Sequence, residues 1–354
     1  MSGAPVAGRD YPRSVGELRS WFGADDDCLD YLEWLRWPAG FVCPACGQPG
    51  GWRLGDGRLR CASCRSATSV TAGTIFNKTR TPLTVWFTAC WLFATQKDGV
   101  SAQSLQRALE ISSYQTAWAM VHRLRSVLVR PGRERLAGRV EVDETFIGGE
   151  EPGLRAAGRR ARSPWSEWPW RSTSRRVWAV AGWRYCPTRP RHRCTRSSPA
   201  TVEPGSTVVT DGWSGYAGID DLGYTRKRHS QQAARRRGED PFGLLPGVHR
   251  IASLAKRWLL GTHQGSVDEA HLQAYLDEFV FRFNRRTSRS RGLVFHRVLE
   301  LAVGHQPVRY RDLIVDPQPK AHPPAGRAGW GHPPSRERPS ASRPWRAADQ
   351  GRSA

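Results

Sequence analysis

Asp143 and Asp211 are the residues on which a chemistry for this chain can be built. Glu141-Val142-Asp143-Glu144-Thr145-Phe146-Ile147-Gly148-Gly149 has the β-branched and aromatic bias of a short strand and is stopped by a glycine pair. Thr207-Val208-Val209-Thr210-Asp211-Gly212 is a second β-branched run ending in Asp and Gly. Alone, either is equally an exposed acidic turn. Together, two strands that each carry an aspartate to their end bring the carboxylates to one edge of a sheet. There they suit Mg²⁺ or Mn²⁺ ions acting on phosphodiesters.

A second constellation is sulfur-based. Cys43-Pro44-Ala45-Cys46 and Cys61-Ala62-Ser63-Cys64 form a CxxC–x14–CxxC pair. Each CxxC presents two thiolates on a tight knuckle, and four thiolates fill a tetrahedral Zn²⁺ shell with no open position, so such a zinc folds the segment and does not catalyse. The glycines between the pairs supply hairpin turns. The alternative, two redox dithiols, lacks the βαβ setting that such motifs need.

The elements that must position these groups are mostly helical. Ser14 caps an expected helix over Val15 to Trp21, and Asp25-Asp26-Asp27 open a second, with Cys28, Leu29, Leu32 and Leu35 at helical spacing. A largely apolar helix is expected from Pro82 to about Thr95. A short helix follows the Ser101 cap, then a turn at Ile111–Tyr114, then a longer helix over Gln115 to Leu128 that bears His122, Arg123 and Arg125. That order is the helix-turn-helix layout, whose second helix enters the major groove, and it is also that of an ordinary helical pair. A further helix over 248–260 sets His249 and Lys256 seven residues apart, close to two turns and so on one face. Gly261–Gly265 reads as a loop, and His271 to Phe283 as an amphipathic helix with Leu272, Leu276 and Phe279 inward. Lys256, Arg257, Arg285 and Arg286 suit a phosphate backbone. From about residue 316 the Pro, Arg, Gly and Ser content predicts a disordered basic tail.

The bulk composition agrees with a polyanionic partner. The 354 residues carry 54 Lys+Arg against 32 Asp+Glu, a net charge of +22, and double-stranded nucleic acid fits this better than a membrane surface. No run of about 18 apolar residues exists and the N-terminal residues carry no signal pattern, so neither a membrane span nor export is expected. Eight cysteines without such a signal point to a reducing compartment and to metal rather than disulfides.

In this order the parts resemble the zinc-ribbon DDE transposases of bacterial insertion sequences, the ISXO-like group. The matching phrases are Leu35-Arg36-Trp37-Pro38, Gly40-Phe41-Val42-Cys43-Pro44, Thr71-Ala72-Gly73-Thr74-Ile75-Phe76, Val142-Asp143-Glu144-Thr145, Thr210-Asp211-Gly212-Trp213 and the block from Lys256 to Arg286. The resemblance implies an α+β or α/β multidomain chain: a helical lead-in (1–40), a zinc ribbon (41–70), a helical region with the helix-turn-helix (71–135), an RNase H-like catalytic domain (136–300) and a basic tail (301–354). It implies two divalent ions on the acids, hydrolysis at the element end, and attack of the freed 3′-OH on target DNA. It further implies a homo-oligomer on DNA, in the bacterial cytoplasm at the nucleoid. By carry-over Asp143 and Asp211 are the first two acids, and the third position falls on His249 followed by Lys256, a departure from the usual acidic residue. Glu144, Asp277 and Glu278 are the alternatives, with Glu278 read first as a structural or salt-bridging group.

Residues 158–199 break the pattern. Five of the chain's 16 Trp stand in this stretch among Arg and Pro, and a strand interior does not tolerate Pro164 and Pro169. Read one nucleotide upstream, Trp codons become Leu, Val or Met and Arg codons become Ala, Thr, Pro or Ser. Residues 164–172 then give a buried strand. A pair of compensating frameshifts is one explanation, a genuine Arg/Trp-rich DNA-binding insertion the other. A frameshift predicts a disrupted sheet and a transposase descendant of weak or no activity. The readings carried forward are therefore a metal-dependent transposase, a non-catalytic DNA-binding protein derived from one, and a metal nuclease without strand transfer.

Overall fold

The computed structural model describes residues 4–129, 135–147, 165–172, 184–186, 202–211, 216–240, 245–264 and 267–314. They divide into two units, Met1–Val127 with Ser288–Ala354, and Leu128–Thr287.

Hydroxyl caps open two of the N-terminal helices. Ser14 Oγ accepts the Glu17 N–H at 3.2 Å to start α1 (Val15–Trp21), and Ser101 Oγ accepts that of Ser104 at 3.1 Å to start α4 (Ala102–Ala108). Between them lie α2 (Asp25–Arg36) and α3 (Leu83–Thr95), followed by α5 (Tyr114–Ser126). The α3 helix is apolar nearly all round, which makes it the central helix. One partner arrives from far along the chain: α9 (Arg291–Gly304) sets Phe295 against Phe22, Phe87 and Trp91. It comes so close to the N-terminal segment that a Cβ on Gly292 would lie 1.9 Å from the Pro12 carbonyl oxygen. Tyr31, fully buried, places its hydroxyl 2.7 Å from the Asp10 carbonyl oxygen and 2.8 Å from His296 Nδ1.

These contacts revise the expected division of the chain. The segment expected to end the catalytic domain at 300 belongs, from Ser288 on, with the N-terminal helices. Residues 301–304 finish α9, and α10 (Tyr310–Ile314) follows where a tail was expected. The Arg/Ser run before Arg291 hid this helix start, yet Val294, Phe295, Val298, Leu299 and Ala302 have the spacing of a buried face. The tail beyond 314 lies outside the described residues.

The ribbon is a three-stranded antiparallel sheet, β1 (Gly51–Arg53), β2 (Leu59–Cys61) and β3 (Ala67–Thr68). The second unit holds a five-stranded sheet ordered β6-β5-β4-β7-β8. Its strands are β4 (Arg139–Phe146), β5 (Trp165–Ser172), β6 (Arg184–Cys186), β7 (Thr207–Thr210) and β8 (Thr225–Arg228). The first three pair antiparallel, while β7 and β8 run parallel to β4. Alternation divides the sheet faces: Val140, Val142 and Val208 pack with Tyr216, Ile219 and Tyr224 on one side. Val209 and Ile147 pack on the other against α7 (Pro246–His263) and α8 (Leu272–Asn284). A short α6 (Gln231–Arg236) precedes them.

Two expectations are corrected here. The frameshift reading predicts a disrupted sheet within 158–199, but β5 pairs with β4 along its whole length, Val142 opposite Pro169. The β6 pairing reaches only Glu167, so among the described residues nothing pairs with the outer edge of β5 at Pro169, the kind of position where a missing N–H is tolerated. The rest of 158–199 lies outside the described residues. The loop expected at Gly261–Gly265 begins later, because α7 continues to His263 and turns off at Gln264 in the left-handed conformation, φ 52°.

Candidate active site and metal centre

The four cysteines meet in the ribbon, their Sγ atoms all within 4.8 Å of one another. Cys43 Sγ lies 3.6 Å from Cys64 Sγ, and Cys46 Sγ 3.7 Å from Cys61 Sγ. A tetrahedron with Zn–S bonds near 2.3 Å has S···S edges of about 3.8 Å, so the thiols already stand at zinc-shell spacing. The two knuckles repeat one geometry. Cys43 N–H donates to Gln48 O and Gly47 N–H to Cys43 O; Cys61 N–H donates to Ser66 O and Arg65 N–H to Cys61 O. The fifth residue of each knuckle is left-handed, Gly47 at φ 72° and Arg65 at φ 61°. Arg65 bears that conformation with a side chain, and its guanidinium lies over Trp52. Backbone N–H groups of Cys64 and Ser63 point at Cys61 Sγ and draw that thiol below its ordinary value, while hydrogen bonding among the thiols holds Cys64 above its own.

The second constellation forms where the β4–β7 ladder ends: Asp211 follows the last residue of β7, whereas Asp143 lies within β4, which runs on to Phe146 and does not stop at the aspartate as expected. The β4–β7 ladder ends at Val142 opposite Thr210, so Asp143 and Asp211 are the next residues on neighbouring parallel strands. Strand alternation puts Asp143 on the face of Glu141, and Asp211 on the face of Val209, which is the face covered by α7. From the first turn of α7, His249 Nδ1 comes to 3.7 Å from Asp143 Oδ2, with both side chains mostly shielded. Burial draws His249 below the ordinary imidazole value, against the pull of Asp211 and Asp240, so at neutral pH the ring keeps a lone pair for a metal ion or a proton. Asp240 went unnoticed in the sequence. The only signal there was its place in Gly238-Glu239-Asp240-Pro241, a turn just upstream of the helix carrying His249.

The remaining predicted residues divide by exposure. Lys256 and Arg257 are exposed on α7. Arg285 and Arg286 are half-buried at the C-terminal end of α8, lying over Phe281 and Phe283 and donating to the carbonyl oxygens of those residues. They satisfy the last carbonyls of their own helix, a role that competes with phosphate contact. The groove-reading set on α5 needs correction: His122 and Arg125 are each 2% exposed, with Arg125 donating to His122 Nε2, while Arg123 donates to Val308 O. The apolar face of α5 is wide enough to take them inside. Its exposed side chains are those of the first turn, Tyr114, Gln115 and Thr116. Glu278 is fully buried and paired with Arg282 at 2.7 Å, as its structural reading expects. Asp277 accepts from Gln273, and the Glu144 side chain lies outside the described residues.

Comparison with known proteins decides the family. Residues 135–284 match the ISXO2-like transposase domain and residues 23–67 the transposase zinc-ribbon domain, together more than half of the chain. The chain belongs to the ISXO2-like insertion-sequence transposases. A relative from Halobacterium salinarum, described as an uncharacterized protein in transposable element ISH50, is 28% identical over 286 residues, 74% of this chain and 91% of that protein. The zinc-ribbon match of the transposase begins within two residues of α2, whose Asp30 and Glu33 pair with Arg53 of β1. The transposase-domain match nearly coincides with the second unit. No helix among the described residues is long and apolar enough to cross a membrane.

Proposed function

We propose that this transposase binds the ends of its element, hydrolyses a phosphodiester there, and joins the freed 3′-OH to target DNA, acting as a homo-oligomer. The observation that carries the reading is the meeting of Asp143, Asp211 and His249 at the end of the parallel β4–β7 ladder under one helix. The strand order, three antiparallel strands continued by two parallel ones beside the first, supports an RNase H-like catalytic domain. In this reading Asp143 and Asp211 hold Mg²⁺ or Mn²⁺, which supplies Lewis-acid stabilisation of charge on the phosphodiester oxygens. Neutral His249 beside Asp143 takes the third place, either on a metal ion or on a proton of the attacking water. Lys256, two turns on and exposed, holds a DNA phosphate. The basic β8 edge, Arg226, Lys227 and Arg228, extends the positive surface. For groove contact on the first unit, Tyr114, Gln115 and Thr116 replace the buried His122 and Arg125.

Cleavage of a duplex carrying the element end tests the proposal. Asp143→Ala should abolish cleavage and leave end binding intact; wild-type binding without cleavage in Mg²⁺ or Mn²⁺ would leave the non-catalytic DNA-binding reading. Supplying a 3′-OH end with target DNA separates a transposase from a nuclease. The composition of 158–199 favours that second, inactive reading, and the continuous β4–β5 ladder favours a working sheet. The coding nucleotide sequence separates the origins: a strand-like frame one nucleotide upstream marks a frameshift.

A further inference from the structure

The helix that carries His249 and Lys256 has no cap of its own. Its N-cap residue, Leu245, offers no side-chain acceptor, and its first helical residue, Pro246, has no N–H. The orphan donors of the first turn are therefore Gly247 N–H and Val248 N–H. Both are accepted by one oxygen from another element: Glu141 Oε2, at 3.0 and 3.2 Å. Glu141 stands two residues before Asp143 on β4, and Val248 one residue before His249 on α7. The side chain is only 4% exposed, unusual for a carboxylate, and it lies where the positive end of the helix dipole stabilises negative charge.

We propose that Glu141 is a positioning residue, a cap supplied by the sheet that sets His249 against Asp143. The proposal rests on the catalytic reading of Asp143 and His249. Glu141 touches no reacting group; it acts through the backbone of the first helical turn. Displacing His249 by about 1 Å is enough to cost on the order of 100-fold in rate.

The test is a double-mutant cycle on the full chain, read as kcat and KM for cleavage of an element-end duplex in Mg²⁺. Glu141→Ala should lower kcat by about 10- to 100-fold with KM for DNA unchanged. Glu141→Gln keeps an acceptor oxygen and should restore most of the rate. Glu141→Ala combined with His249→Ala should lose no more than His249→Ala alone, because both remove one interaction. Losses that multiply, or a Glu141→Ala protein with wild-type kcat, would overturn the proposal. Hydrogen exchange supplies a readout independent of activity: Gly247, Val248 and His249 amides should lose protection in Glu141→Ala while the β4–β7 ladder keeps it. Amides exchanging at wild-type rates would sink the bracket even in an inactive chain. A wild-type chain that binds DNA and never cleaves fails the catalytic reading alone.

Discussion

The ribbon and the strand-end site solve the same problem, convergence of ligand groups, at different ranges. In the ribbon, four thiols come from two segments joined by a 14-residue spacer, and each knuckle is shaped by backbone hydrogen bonds within six residues. At the strand ends, Asp143, Asp211 and His249 come from three elements spread over more than a hundred residues, and only the parallel β4–β7 pairing and the seating of α7 join them. The first site is local, so metal binding itself can complete it. The second is inherited from the packing of a whole unit, and its geometry is as good as the sheet beneath it.

The sharpest break between the two is metal removal. Chelation, or Cys61→Ser, should unfold the ribbon, since structural zinc contributes on the order of 10 kcal/mol to such sites. Hydrogen exchange across 41–68 should rise while β4 and β7 stay protected. Protection lost equally in both units would mean the two sites are not independent. At the strand ends the effect should be the reverse. Asp211→Asn should lower cleavage by about 10²- to 10⁴-fold, several kcal/mol of charge stabilisation, with little change in thermal midpoint. A large fall in midpoint would make Asp211 a structural residue.

A smaller effect tests two carboxyls of the first unit, Asp10 and Glu300, by pH. Burial raises Asp10 and Glu300, but Arg9 and the Val6 N–H outweigh it at the one, and His296 and Arg297 at the other. Both carboxyls therefore sit below the ordinary range. Their contribution to stability is present above the unfolded carboxylate values, near pH 4, and is lost as pH falls through the lower folded values. The thermal midpoint should drop across that acid window, and Asp10→Asn with Glu300→Gln should flatten the drop. The smallest effect is a gain within the ribbon. Arg65→Gly relieves a left-handed residue and should stabilise the zinc-bound ribbon by about 1 kcal/mol, less the lost stacking on Trp52. An unchanged or lower midpoint would show that the stacking outweighs the backbone strain.

The short-range features were legible. Ser14 and Ser101 announced their helices, the CxxC pairs their thiol cluster, and the β-branched runs around Asp143 and before Asp211 their strands, because each rests on interactions within a turn or two of the chain. The β4 strand nonetheless runs on past Asp143. Side-chain facing was less so. His122 and Arg125 read as groove contacts and are buried, because a wide apolar face leaves the direction of a few polar positions to whatever packs on the helix. Pro169 argued against a strand that the ladder nonetheless includes, because the cost of a missing N–H depends on which edge is unpaired.

The sequence by itself determined the candidate groups: four thiols at zinc spacing, two aspartates on β-branched runs, and a histidine and lysine two turns apart on one helix. Tertiary structure alone decided that both aspartates face α7, that α9 returns to complete the N-terminal unit, and that Glu141 caps the helix bearing His249. The physical reason is range. Propensity, capping and knuckle geometry act over a few residues and are written in order along the chain. The parallel crossover joins residues 68 positions apart and the borrowed cap residues 106 and 107 apart, and no local spacing encodes them.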